Sequence, residues 1–226
     1  MRRNTIVLVV LALLAAPLTA RALGLQVEAR GGAGIALGST NNANTTGTPQ
    51  FAADGALVLD LTALSVGPLS IGLSAGAEYS YMNFHSVTSN FFSATTLTSD
   101  STYSYLNIPV AIVGHLKLPA GLGLTLRAGG YAGYFLSGQA KNSYNPQSAF
   151  FTNGTVTLDS TNTVQWSYGL HFTAGPDFSI GPGLTFSPSL ELNWGLTDIT
   201  VDKTGNAFKD ALSPLTANVG IRYALF

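Results

Sequence analysis

Three side chains in one short stretch of this sequence have the types needed for nucleophilic chemistry. A turn centred on Pro182 folds the chain back on itself, setting Thr173 opposite Glu191 and His171 opposite Asn193. A hydroxyl, a base and a carboxylate then share one neighbourhood, the ingredients of acyl transfer. Two features count against a hydrolase of lipid acyl chains. All three residues fall on the polar face of their strands, away from an arriving acyl chain, and Thr replaces the usual Ser. The other histidines stand apart, His85 in a loop and His115 near a turn, so no three ligands have metal spacing and no metal or cofactor is expected. Gly31-Gly32-Ala33-Gly34 and Gly129-Gly130 are not followed by a helix, which removes the phosphate-binding reading of such runs. With no Cys in 226 residues, disulfides, zinc–thiolate sites and iron–sulfur clusters are excluded.

The charged residues form the second constellation. Alternation turns Glu28, Arg30, Glu78, Arg127, Glu191 and Arg222 to the same side of their segments. Three acids and three arginines sharing a narrow interior persist only when paired and hydrogen-bonded. Arg222 with Glu28 is the expected pair, with Glu191 near Arg222, and the network reads as a plug that rigidifies the interior or as the gate of a narrow pore. Asp54 and Asp60, near the ends of one segment, read as solvated. Counting Lys117 and Asp177 as well, ten charged residues lie in the alternating segments, all on the polar face.

The elements that must position these residues have a period of two. Leu69, Ile71, Leu73, Ala75, Ala77, Tyr79 and Tyr81 alternate with Ser70, Gly72, Ser74, Gly76, Glu78 and Ser80, and the same split recurs over 184–196 and 215–225. Such runs predict eight strands at about 24–37, 51–62, 69–81, 103–117, 122–136, 164–179, 184–196 and 215–225. Three connections are short turns carrying Gly67-Pro68, Pro119-Ala120-Gly121 and Gly181-Pro182-Gly183; the other four are long and rich in Ser, Thr, Asn and Gly. Pro109, Pro176 and Pro188 fall inside strands and predict bulges or strand ends there.

Only 9% of the chain is charged, against about 25% in an ordinary soluble domain. A lipocalin-like barrel would need many Lys and Glu on its water-facing side. The inverse arrangement fits better, with Leu, Val, Ile and aromatics facing lipid and Gly, Ser and Thr filling the interior. The expected fold is therefore an all-β, eight-stranded antiparallel up-and-down transmembrane β-barrel, closed so that every backbone group is paired. Tyr79, Tyr81, Tyr134, Trp166, Tyr168 and Trp194 gather at the long-loop ends of their strands, as an interfacial girdle does. Arg2 and Arg3, the apolar run Ile6–Leu18 and Ala20-Arg21-Ala22 read as a secretory signal over 1–22, leaving a barrel domain over 23–226. Removal of the signal leaves seven Lys and Arg against eleven Asp and Glu, so no basic surface is present for nucleic acid.

Several of these runs resemble the PorT-like outer-membrane β-barrel family: Tyr105-Leu106-Asn107-Ile108-Pro109-Val110-Ala111-Ile112, then 128–137 from Ala128-Gly129-Gly130 to Leu136-Ser137, then 190–199 around Asn193-Trp194-Gly195. The end of the chain, with Asn218, Gly220, Tyr223, Leu225 and Phe226, resembles the signal read by the barrel-assembly machinery, its last Phe one place beyond the strict register. The resemblance implies an eight-stranded barrel in a bacterial outer membrane, contacting outer-membrane lipid and lipopolysaccharide, and supplies no activity. Loops 82–102 and 137–163, with Phe84, Phe91, Phe92, Tyr144, Phe150 and Phe151, are the candidates for an extracellular ligand. The expectation is a monomeric structural or surface-interaction protein with both termini periplasmic and no enzymatic activity; a narrow low-conductance pore and a lipid A acyl-chain hydrolase are the alternatives.

Overall fold

Alternation of apolar and small polar residues builds one continuous antiparallel sheet. The computed structural model describes residues 24–40, 44–90, 95–147, 152–159, 163–197 and 210–225; the expected signal segment lies outside the described residues. The strands are β1 (Gly24–Thr40), β2 (Thr45–Thr48), β3 (Gln50–Val66), β4 (Leu69–Asn90), β5 (Thr95–Lys117), β6 (Leu122–Asn145), β7 (Gly154–Leu158), β8 (Trp166–Gly181), β9 (Leu184–Gly195) and β10 (Asp210–Ala224). Eight of them close a ring in the order β1, β3, β4, β5, β6, β8, β9, β10 and back to β1. Closure leaves no free edge in the wall, which a bilayer requires.

The eight predicted strands are all present, and three are much longer than expected. β4, β5 and β6 run for 22, 23 and 24 residues, against about 9–11 for a strand that only crosses a bilayer. Much of the expected loops 82–102 and 137–163 is therefore strand. The β4 and β5 extensions stay paired from Met82↔Tyr103 to Asn90↔Thr95. The small strand β2 adds to β4, and β7 adds to β6. These segments carry polar residues on both faces, so no hydrophobic alternation marks them. Thr and Val favour extended backbone, and cross-strand pairs such as Thr45 Oγ1 to Thr88 Oγ1 at 2.9 Å tie them together. Phe91, Phe92, Phe150 and Phe151 lie outside the described residues.

At the opposite end the short turns are as predicted, with Gly67 and Gly183 at φ of 58° and 70°, a backbone region that Gly enters without cost. β1 begins and β10 finishes at this end, where Gln26 faces Ala224.

The in-strand prolines do not create bulges or strand ends. Their strands run straight through, and the ladder is interrupted on one side only. Between β4 and β5 the register skips from Ala75↔Val110 to Glu78↔Asn107 at Pro109. Between β8 and β9 it skips from Ala174↔Leu190 to Phe178↔Phe186, where Pro176 and Pro188 face each other and neither has an N–H to give. Bulges occur elsewhere, at Thr62/Leu64, Ser104/Tyr105 and Ser179/Gly181.

Candidate functional site in the lumen

The alternation places both Trp, most Leu and Ile, and Tyr79, Tyr168 and Tyr223 outward and exposed, while Val58, Val113 and most polar residues of the barrel strands are buried in the lumen. The interior has three layers. In the layer nearest the short turns, Arg127 Nη2 donates to Glu28 Oε2 and to Asp60 Oδ2, both at 2.6 Å. Arg222 donates through Nε and Nη2 to the same Glu28 oxygen, at 2.9 and 2.8 Å, and through Nη1 to Asp177 and Thr125, each at 3.0 Å. His115 Nδ1 lies 2.8 Å from Thr125 Oγ1, whose hydroxyl donates to Asp177. This layer joins β1, β3, β5, β6, β8 and β10 through side chains alone.

The middle layer centres on Asn193. Its Nδ2 donates to Glu78 Oε1 at 2.9 Å and to Glu191 Oε1 at 3.0 Å, and its Oδ1 lies 2.7 Å from His171 Nδ1. Because Oδ1 can only accept, His171 carries its proton on Nδ1, and Nε2 accepts from Thr173 Oγ1 at 3.2 Å. Arg30 Nη2 is 2.5 Å from Glu191 and 3.6 Å from Glu78. Asn107 and Asn218 donate to Glu78 and Glu191 respectively.

The third layer, toward the long strands, is apolar: Ala36, Ala52, Met82, Phe84, Tyr103, Tyr105, Phe135 and Leu212 pack as one cluster. Tyr105 and Phe135 meet edge to face with ring centroids 5.5 Å apart, the geometry aromatic quadrupoles prefer. The space next to this layer, bounded by Met82, Tyr105, Asn107, Tyr131 and Asn193, is about 20 Å³, room for about one water.

All six predicted lumen charges therefore lie inside the barrel. Arg222 meets Glu28, directly opposite it on β1. Glu191 does not meet Arg222: the β9–β10 register sets Arg222 opposite Thr185 and Glu191 opposite Thr216, six residues or about 20 Å up the strand, and the partner of Glu191 is Arg30. Asp60 is not solvated but 1% exposed and bound by Arg127. Asp54 is partly buried, and Lys117 is exposed at the turn end. The pairing of Thr173 with Glu191 and of His171 with Asn193 is observed. Glu78 joins them from β4, so Glu78, His171 and Glu191 form a cluster with metal-ligand potential, contrary to the expected absence of such spacing. Sequence reasoning misses the aromatic layer. Met82 and Phe84 lie beyond the predicted end of β4, and Tyr103, Tyr105 and Phe135 point inward, although bulk alone assigns aromatics to lipid.

Tyr79, Trp166, Tyr168 and Trp194 are outward and about half exposed, while Tyr81 and Tyr134 are outward and partly covered; Tyr134 packs on Trp166 with centroids 5.0 Å apart. Of the terminal segment, Asn218 and Gly220 face the lumen and Tyr223 and Leu225 face outward; Phe226 lies outside the described residues. A Cβ on Gly220 would stand 2.9 Å from the Glu28 carboxylate, so this glycine makes room for the ion pair.

A closed barrel with an apolar exterior and a packed polar interior has one further observation to meet. The family model described as outer membrane protein beta-barrel domain matches residues 15–201. The chain belongs to this family. The barrel protein is an integral protein of the bacterial outer membrane. No curated protein matches its sequence. Among solved structures it is similar to a major outer membrane protein from Thermus thermophilus (10% identity, covering 89% of this chain and 99% of that one, TM-score 0.46). It is also similar to Neisserial surface protein A (10%, 88% and 96%, 0.40) and to the outer membrane protein OprG from Pseudomonas aeruginosa (12%, 90% and 97%, 0.42).

Proposed function

We propose that this barrel is a non-conducting surface-interaction protein that carries its contact surface on a projecting β-sheet. The observation behind this reading is the length of β4, β5 and β6, which is about twice what the bilayer needs. The excess forms a sheet in the order β2, β4, β5, β6, β7 beyond the tyrosine and tryptophan belt, rich in Thr, Ser and Asn and suited to a polar extracellular ligand or to lipopolysaccharide sugars. The three packed layers support a plug rather than a gate, since the space between the middle and apolar layers holds about one water. The same packing disfavours a lipid hydrolase, because Thr173, His171 and Glu191 are at most 3% exposed and face away from lipid. On this reading the termini and short turns are periplasmic, the chain is a monomer of the PorT-like type, and its last strand engages the barrel-assembly machinery. The test is binding of whole cells, with and without the protein, to host-matrix and glycan arrays. A variant in which a two-residue turn replaces 86–99 should lose the contact and keep its place in the membrane; unchanged binding by that variant refutes the assignment.

A further inference from the structure

We propose that Glu78, His171 and Glu191 form a buried site for one divalent transition-metal ion of the zinc class, with Asn193 as fourth ligand. One donor atom of each of the three lies within 4.8 Å of the others, and His171 Nδ1 is 3.7 Å from Glu191 Oε1. An imidazole with two carboxylates suits zinc, whereas Ca²⁺ and Mg²⁺ sites are built from oxygen alone.

Two independent observations point to a cation at this place. Glu78 is fully buried, and its Oε2 accepts no hydrogen bond, an expensive condition for a carboxylate. The layer also holds more negative than positive charge. Glu78 and Glu191 face the single guanidinium of Arg30. With Glu78 and Glu191 both ionised, one carboxylate has no counter-charge, and a bound divalent ion supplies it.

The hydrogen bonds around Asn193 give the route to coordination. Its amide now holds the ligands together, Nδ2 to the two carboxylates and Oδ1 to the imidazole. Turning the amide over about its terminal torsion brings Oδ1 to the carboxylate side, where it coordinates. His171 binds through Nδ1 once the proton there has moved to Nε2, so no proton is lost overall. Nε2–H then donates to Thr173 Oγ1, which is already 3.2 Å away. Thr173 becomes the outer partner that fixes the tautomer and the ring. The site is independent of what the projecting sheet contacts.

The test uses the full barrel refolded in detergent micelles, titrated calorimetrically with ZnCl₂ and with bound metal counted after gel filtration. One ion per chain is expected for the wild type, His85→Ala and His115→Ala, and none for His171→Ala. Thr173→Val should weaken binding about 10–100-fold. Should His171→Ala not fold, Co²⁺ on the wild type decides: a four-coordinate visible spectrum, abolished by Glu78→Gln, is expected. The proposal is overturned if the wild type binds no stoichiometric Zn²⁺, if His171→Ala binds it as the wild type does, if binding follows His115 instead, or if Ca²⁺ binds as tightly.

Discussion

Arg127 and Arg222 converge on one oxygen of Glu28 from different strands, so neither pair is an isolated contact. Removing Arg222 takes two of the three arginine hydrogen bonds from buried Glu28 and the cation from Asp177, and removing Arg127 leaves buried Asp60 without its hydrogen-bonded cation. Arg222→Ala should cost about 3–5 kcal/mol, read as a lowered unfolding midpoint in urea for the folded barrel. Arg127→Ala should cost at least as much, since it also strands Asp60; equal stability of wild type and variant would remove the network from the account of the fold. The Arg222–Glu28 pair is legible in the sequence because closure makes the first and last strands neighbours, alternation turns both residues inward, and each lies a few residues from its strand's turn-side end. The partners of Arg127 and Arg30 are not, because they lie across the lumen on strands that never pair, and their heights depend on the register of every strand between.

At the scale of elements, the wall is uneven. Where Pro176 faces Pro188, the β8–β9 ladder is missing from 175 to 177 and from 187 to 189. The wall there is held by side chains, such as Ser187 donating to Asp177 at 2.8 Å. Amides bordering this seam should exchange with solvent deuterium faster than those of the unbroken β1–β10 ladder, as amide-resolved exchange in micelles would report. The turn before β6 offers a second test. Ala120 sits at φ 61°, where a side chain costs roughly 1–2 kcal/mol. Ala120→Gly should therefore stabilise by up to about 1 kcal/mol, after the entropy that glycine adds to the unfolded chain. Barrel strands are readable wherever one face meets lipid. The extensions of β4, β5 and β6 are not, since a sheet wet on both sides carries no alternation to read.

For the whole molecule, the stacked layers predict behaviour in a bilayer. Purified barrel in a planar membrane should show no ohmic steps. Phe135→Ala should stay silent too, because the two charged layers beneath it remain; regular steps from the wild type would favour the pore. Shortening the β4–β5 hairpin to a turn at 86–99 should leave the barrel folded with nearly unchanged thermal stability, because the apolar cluster ends at Phe84 and Tyr103.

The sequence by itself determined which face of each strand meets lipid, where the chain turns sharply and that none of the charge in the alternating segments lies on that face. These follow from local rules: a period of two, glycine at positive φ, and the cost of bare charge in hydrocarbon. Only the tertiary structure decided that Glu191 meets Arg30, that Glu78 joins His171, that tyrosines and phenylalanines close the upper lumen and that polar segments continue as strands. Each depends on how far one strand is shifted against another around a closed ring, and alternation carries no record of that shift.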